Sequence, residues 1–540
     1  MKKMHACMQF RKADWLVLEQ EILKTKTDGK RLTELTSYRD IALWWFIRFR
    51  LYHSEPSRLP KSLIKNIHFI SFVDFLYDFF TSILCRVLSR LSEVKTGEKR
   101  KLKVLITAHN TQWKNVYDVT GRLKKTDAYF DSVITELKKQ DYDIVTVYPL
   151  GYSISEFKTL IDKLRRQKDV AHRPFNVYWS VKIWKKSYDA SRHFRNIWRN
   201  TMEKNGIFIH LLETCGLRTE LSYCFNSVFE RAVKNIEMAK ELVEEEGPDL
   251  ILLLNEYGVF ERALGIAGKL RGIPTLAIQH GFIGPLHMGY MYSKDSISAS
   301  GSIETPYCPI PDKTAVYGQF YYDLLTKMSA YPPSSVVVTG QPRYDILAMA
   351  NRVFSREKFC TGSGLDPDRK IVLITTQPWP MREVFIRSVL TALKHFRKIQ
   401  IVIKPHPGEK EDFYEKVVEK ENIKVTILPR KSDTFEALYA CDLLVAAYST
   451  VITEALVLGK LAVTISLGEE LAPFYRGVTL RVDKKEDLAP AIRKALYDEK
   501  TKEKLRKAGR KFVFNHAYKL DGKATERVVN LIEQMIAGRI

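Results

Sequence analysis

A chain of 540 residues, 45% of them hydrophobic, is too long for one core, because single cores stop growing at roughly 250–300 residues. Lysine and arginine outnumber aspartate and glutamate by 86 to 63, a formal net charge of +23, which favours anionic partners such as phosphorylated substrates, acidic lipid surfaces or nucleic acid without choosing among them. The seven cysteines are odd in number and scattered, with no paired Cys-x-x-Cys or Cys/His set, which argues against a disulfide scaffold and a structural zinc and for a reducing compartment.

Met1 to Phe10 is too polar for a secretory signal, so a cytoplasmic protein is expected. Two greasier stretches follow, Ile41 to Leu51 and Leu63 to Leu91. In the second, Lys65, His68, Asp74, Asp78 and Arg86 recur too often for a bilayer span, and both read as amphipathic helices. Such helices either pack into a core or dock a basic, aromatic-rich face on the inner surface of a membrane as a peripheral contact. The basic run Lys95 to Lys103 (KTGEKRKLK) reads as a linker, closing a helical N-terminal extension over residues 1–98.

After the linker, short β-rich runs alternate with helical segments: Val104 to Ala108, Ile144 to Tyr148, Leu250 to Leu254, Thr275 to Ile278, Ala315 to Tyr317 and Val336 to Val338. The alternation pauses near Arg343 to Asp366 and resumes with Ile371 to Thr375, Ile401 to Ile403, Val425 to Leu428, Leu443 to Ala446 and Leu461 to Ile465. The predicted fold class is therefore α/β: two Rossmann-like parallel-sheet domains facing a cleft, over residues 99–345 and 346–540, behind the helical extension.

In open parallel sheets ligands bind at the carboxyl ends of the strands. Lys404-Pro405-His406-Pro407 follows one such strand, and two prolines hold the backbone around one imidazole with a point charge beside it, an arrangement suited to phosphate. Ser449 and Thr450 follow DLLVAAY at a helix start, where hydroxyls either cap the helix or join its free amides in holding phosphate oxygens. Glu454 lies too far on for a capping box and could accept ribose hydroxyls, whereas Asp433 and Glu436 have capping-box spacing and are assigned to structure. Gln377, in the loop after Ile371 to Thr375, and Arg343, at the hinge, complete the candidate nucleotide contacts. In the first sheet His280, in Gln279-His280-Gly281, and Glu256, in Asn255-Glu256-Tyr257-Gly258, are rival bases for deprotonating an acceptor hydroxyl. No Asp-x-Asp motif follows a strand and no His-rich ligand set is present, so no metal is expected; nor does any zinc finger, RNA-recognition sequence or regular aromatic-basic interleaving point to nucleic acid.

Strand-QHG, Gly340-Gln341-Pro342-Arg343-Tyr344-Asp345, KPHP and the strand followed by Ser-Thr and Glu454 together resemble the GT-B superfamily. Within it they resemble the capsule and surface-polysaccharide branch, with the CDP-glycerol glycerophosphotransferases and bacterial polysialyltransferases; GQPRYD is also similar to the UDP-N-acetylglucosamine 2-epimerases. The resemblance covers Val104 to the C-terminus. It implies a metal-independent transferase, making a polysaccharide by moving a sugar or polyol-phosphate unit from a nucleotide-linked donor to a glycan or lipid-linked acceptor, with no cofactor beyond that donor. His280 would activate the acceptor, His406 would bind or protonate donor phosphate, Ser449 and Thr450 would hold phosphate, and Glu454 the ribose. The chain departs from the pattern at His109-Asn110-Thr111-Gln112-Trp113, which lacks a Gly-rich turn, and at Phe282-Ile283-Gly284-Pro285, where glycerophosphotransferases often carry Thr-Pro and Lys. The alternatives are a sugar-nucleotide epimerase and a nonenzymatic basic binding module.

Overall fold

From residue 103 onward strand and helix alternate, and the computed structural model arranges the strands in two parallel sheets. It describes residues 14–27, 29–53, 67–90, 100–151, 153–447, 449–466 and 475–538. The first half contributes β1 (Lys103–Thr107), β2 (Trp113–Tyr117), β3 (Leu123–Asp127), β4 (Asp143–Tyr148), β5 (Ala171–Pro174), β6 (Leu250–Leu253), β7 (Thr275–Ile278), β8 (Lys313–Val316) and β9 (Val336–Val338). Seven of these form one sheet in the order β9-β8-β7-β6-β1-β4-β5, while β2 and β3 make a separate antiparallel hairpin. Their Leu, Ile and Val runs are covered on both faces; Val104, Leu105, Ile106 and Leu250 are wholly buried, as central parallel strands require.

The second half contributes β10 (Lys370–Thr375), β11 (Ile399–Lys404), β12 (Thr426–Ile427), β13 (Leu443–Ala446), β14 (Leu461–Ile465) and β15 (Leu480–Val482), in the order β12-β11-β10-β13-β14-β15. Both sheets are doubly wound. The winding reverses between β1 and β6 in the first, where Leu105 pairs with Ile251, and between β10 and β13 in the second, where Ile374 pairs with Val445. A crevice opens at each reversal, outside the carboxyl ends of the strands.

The N-terminal extension is stitched into the first α/β unit. Its helices α1 (Trp15–Lys24), α2 (Trp44–His53) and α3 (Ile67–Arg90) are joined by two short antiparallel strand pairs, Lys26–Thr27 with Lys30–Arg31 and Ser37–Tyr38 with Ile41–Ala42. Trp15, Trp44 and Ile47 share one core with Leu105 and Val145. Arg48, wholly enclosed, meets Glu19 at 2.6 Å and donates to the carbonyls of Met288 and, at 2.5 Å, Met291. The extension thereby anchors the loop that follows β7. Packed on the outside of this unit are α3, α4 (Val181–Ile197) and α5 (Phe229–Glu246), while α6 (Val259–Leu270) leaves the β6 strand end. The expected linker at 95–99 and the stretch 63–66 lie outside the described residues.

The second unit's helices include α7 (Thr450–Val457) and α8 (Glu499–Ala517). The last helix, α9 (Ala524–Ile536), returns to the first sheet, where Val528 and Ile532 join Val104, Ile106 and Leu250. Asp345 fixes that return by accepting from the Ala524 and Thr525 amides at 2.8 and 2.7 Å. Residues 346–540, expected from sequence to form the second domain, thus include a helix that packs on the first sheet. Among the described residues no helix is long and apolar enough to cross a membrane.

Candidate functional site

On the second sheet, β11 ends at Lys404 and the two prolines carry the chain past His406. The His406 amide donates to Thr376 Oγ1 at 3.2 Å and to Glu409 Oε2 at 3.3 Å, and Thr376 Oγ1 donates to the same carboxylate at 2.6 Å. Gly408 N–H donates to His406 Nδ1 at 3.0 Å, which places the neutral ring's proton on Nε2, facing outward from an exposed side chain. Partial desolvation by the loop packed around the ring, with the Lys404 and Lys114 charges nearby, holds its pKa below the usual value. Lys404 braces this loop: its ammonium donates to the carbonyls of Pro405 at 2.9 Å and Arg430 at 2.8 Å.

Beyond β13, Ser449 caps α7 by accepting from Val451 N–H at 3.2 Å, while the hydroxyl of half-buried Thr450 makes no hydrogen bond among the described residues. Asp433 caps its helix through the Phe435 and Glu436 amides at 2.7 and 3.1 Å, as its spacing predicts, but Glu436 reaches across to the Tyr117 hydroxyl at 2.9 Å instead of back to the cap. Glu454, one turn into α7 and 3% exposed, is paired with Arg343 Nη1 at 3.1 Å. Arg343 also stacks over the Phe435 ring at 4.2 Å. Burial raises the Glu454 pKa and the Arg343 charge opposes it. Two residues expected as separate nucleotide contacts thus hold each other across the hinge. Gln377 lies half-buried in the loop after β10.

The β2–β3 hairpin brings in a cation that motif reading missed. The Lys114 ammonium makes no hydrogen bond or ion pair among the described residues, yet it senses Arg343, Glu454 and Asp433 and in turn lowers the pKa of Lys404. Burial first, then the Arg343 charge, brings the Lys114 pKa down to about 8, and burial with Lys114 does the same for Lys404. The hairpin's strands, Trp-Lys-Asn-Val-Tyr and Leu-Lys-Lys-Thr-Asp, lack the continuous apolar run that marks the parallel strands.

On the first sheet, His280 leaves β7 and its carbonyl accepts from the Tyr129 hydroxyl at 2.7 Å; the Tyr129 ring lies 5.9 Å from the Arg343 guanidinium carbon. Tyr129 and Arg343 therefore link His280 to Glu454 from one sheet to the other. Burial, helped by the neighbouring His109, lowers the His280 pKa to about 4, and its buried Nδ1 has no hydrogen-bond partner among the described residues. Beside it Gly281 faces open space, where an added Cβ would meet nothing within 4 Å.

His109, directly after β1, is the second group the motifs did not single out, although its strand-end position marks it. Its Nε2 lies 2.5 Å from Oε1 of Glu261, a buried carboxylate on α6. Burial pulls the imidazole pKa down, but the hydrogen bond and charge of Glu261 outweigh it and the net shift is upward. A histidine oriented by a carboxylate has the geometry to give or take a proton.

Glu256 sits differently. Its oxygens accept from Thr314 Oγ1 at 3.0 Å and the Tyr331 hydroxyl at 2.5 Å, inside the core, and burial raises its pKa to about 7 against the pull of those bonds. A carboxyl whose folded pKa exceeds its unfolded one holds extra protons in the folded state, so stability falls as pH rises from about 4.5 to about 7. Glu256→Gln should remove that slope, making the variant more stable than wild type at pH 8 by up to about 3 kcal/mol and nearly equal to it at pH 5, read by chemical denaturation. An unchanged slope would place the titrating group elsewhere.

A cavity of about 410 Å³ adjoins the cleft between the β2–β3 hairpin, the helix Asp131–Lys139, the hinge and the start of α9. Arg343 and Asp433 form part of its wall, whereas Lys404, His406 and His280 do not.

Residues 319–533, less than half of the chain, match the family model described as UDP-N-acetylglucosamine 2-epimerase. Among solved structures, the UDP-GlcNAc 2-epimerase from Neisseria meningitidis bound to UDP-GlcNAc superposes with a TM-score of 0.50 at 13% identity, over 81% of this chain and 100% of that one. Another UDP-N-acetylglucosamine 2-epimerase gives 0.50 at 15%, over 82% and 98%, and a glycosyltransferase from Rickettsia africae ESF-5 gives 0.47 at 16%, over 82% and 100%. No curated protein matches the sequence. The fold is thus a two-domain GT-B-like one, similar to that of UDP-N-acetylglucosamine 2-epimerases, and residues 319–533 are similar to that family's model.

Proposed function

We infer that the protein acts on a nucleotide-linked sugar in the cleft between its two sheets, and that the reaction is epimerisation of a UDP-linked N-acetylhexosamine. One observation carries this reading: the span that matches the 2-epimerase family contains every expected nucleotide contact, from Arg343 through Gln377, Lys404, His406, Ser449 and Thr450 to Glu454. The diphosphate would lie at the α7 start, near the outward Nε2 of His406 and the unpaired ammonium of Lys114, where helix amides and cations offset its charge. Glu454 would exchange part of its Arg343 contact for the ribose. Inverting C2 requires its proton to leave as the C1–O bond to the diphosphate breaks, and then the diphosphate to re-add at C1 as a proton returns to C2 on the opposite face. His109 with Glu261, beside His280, would be the acid–base set of the facing half. The nucleotide is a substrate, and no further cofactor enters the proposal.

Incubation with UDP-GlcNAc in D₂O without acceptor, followed by NMR, tests it. The expected result is the 2-epimer with deuterium at the inverted carbon. An unchanged sugar that nevertheless binds would defeat epimerisation. Binding itself is read by thermal shift against UDP-, GDP-, CDP- and CMP-linked compounds, where a ligand at a hundredfold excess over its Kd stabilises by about 2.7 kcal/mol; Lys114→Ala should abolish the shift.

Transfer to an acceptor, as in glycerophosphotransferases and polysialyltransferases, is the second reading, favoured by what the extension adds to the first half. From α2, Phe49 reaches Tyr257 and His287 with ring centroids 4.8 and 5.7 Å apart, and His53 lies against Phe49 at 4.4 Å. This aromatic and imidazole wall stands beside His280 and would contact a glycan acceptor. Product that forms only when acceptor is added would establish transfer.

A further inference from the structure

Helix α3 is built the wrong way round for a surface helix. Its acidic side chains point inward: Asp74 pairs with Arg231 at 3.3 Å and Asp78 with Lys234 on α5. Phe75 packs between Trp179 and Trp184, at 5.7 and 4.8 Å, and the Tyr77 hydroxyl donates to the Gly151 carbonyl at 2.8 Å. What faces outward is apolar: Phe72, Val73, Phe80, Ile83, Leu84 and Val87 are 44–65% exposed. At 100° per residue these six fall within an arc of roughly 120°, a continuous stripe along the helix. No acidic residue lies on that arc, and exposed Arg90 closes it. Such a stripe is far beyond the scattered exposed apolar residues of an ordinary surface.

The geometry points to docking of this stripe on an anionic lipid bilayer, with α3 lying in the plane of the interface. Charge selects that occupant. Each copy carries a net +23, which opposes association of two copies and favours a negative surface. The neighbouring helix α4 adds Val181, 53% exposed, together with exposed Lys182, Lys185 and Arg192, none ion-paired among the described residues. Apolar burial by an amphipathic helix, reinforced by nearby cations, is how peripheral proteins hold to acidic leaflets. The helix cannot span: its inward face is committed to α4 and α5.

The test is cosedimentation of the full chain with vesicles of phosphatidylcholine alone and with about one-third phosphatidylglycerol. Wild type should partition onto the anionic vesicles at least about tenfold more strongly than onto the neutral ones, and about 0.5 M salt should weaken it. Phe80→Asp/Val87→Asp should reduce partition about tenfold or more with the unfolding temperature unchanged, and Lys182→Glu/Lys185→Glu should reduce it while leaving the stripe intact. Failure of wild type to bind anionic vesicles, or equal binding by the Phe80→Asp/Val87→Asp variant, would overturn the proposal. So would a wild-type dimer in light scattering that this variant converts to monomer, since the stripe would then be covered by a second copy.

Discussion

His109→Ala should lower turnover of the nucleotide sugar about 10²–10³-fold, the contribution typical of a positioned acid–base group, while nucleotide affinity stays within about twofold. The reason is placement: His109 stands at the β1 end of the first sheet, whereas His406 and α7 belong to the second, so its loss should leave the proposed diphosphate contacts intact. Glu261→Gln gives the sharper test. Glu261 holds the His109 pKa above the usual histidine value. Where His109 must be neutral to accept a proton, activity falls as pH drops through that raised pKa. Removing the carboxylate lowers the pKa, so the acid limb of the pH–rate profile should move to lower pH even as the maximum falls, because the ring is no longer oriented. A Glu261→Gln profile that drops in height without moving would reduce Glu261 to a structural role.

Arg343→Ala should be the most damaging single change for stability. It leaves Glu454 buried beside Asp433 without its cation, and breaking a buried pair in this way costs about 3–5 kcal/mol. Glu454 can escape by taking up a proton. Its folded pKa, already raised by burial, then rises further above the unfolded value, so the deficit should be small near pH 5 and grow as pH rises. Arg343→Ala/Glu454→Gln should recover most of the loss, because no isolated carboxylate remains. Unfolding temperatures of the two variants at pH 5.5 and pH 8 decide the matter; equal losses at both pH values would mean that Arg343 stabilises through its Phe435 stacking and not through Glu454.

Both sheets are legible in the sequence because central parallel strands, buried on two faces, read as continuous Leu, Ile and Val runs, and the expected strands from Thr275 to Ile278 and Leu443 to Ala446 agree residue for residue with β7 and β13. The strands that escape notice are those without such runs. β5 is Ala-His-Arg-Pro at the sheet edge, β2 breaks its apolar residues with Lys114 and Asn115, β3 is largely charged, and β15 is three residues long. Strand-end residues such as His280, His406 and Ser449 are likewise accessible to pattern reading. The pairing of Arg343 with Glu454, the approach of Lys114, and the inward turn of Asp74 and Asp78 are not, since each depends on how one packed unit faces another. Local periodicity also cannot say that a final helix, with the amphipathic pattern of its neighbours, will bury Val528 and Ile532 under the other sheet.

That crossing has a mechanical meaning. The chain passes between the domains once at Gln341 to Asp345 and again between α8 and α9, with Gly340 and Gly522 in the left-handed region at φ +81° and +72° beside the two passages. The Asp345 carboxylate ties one passage to the other. A body held to its neighbour along one tether can twist, slide and swing; held at two adjoining points, it can only swing. A swing about the line joining the two passages, like a door on paired hinges, would move the units least beside Arg343 and most at the far side of the cleft.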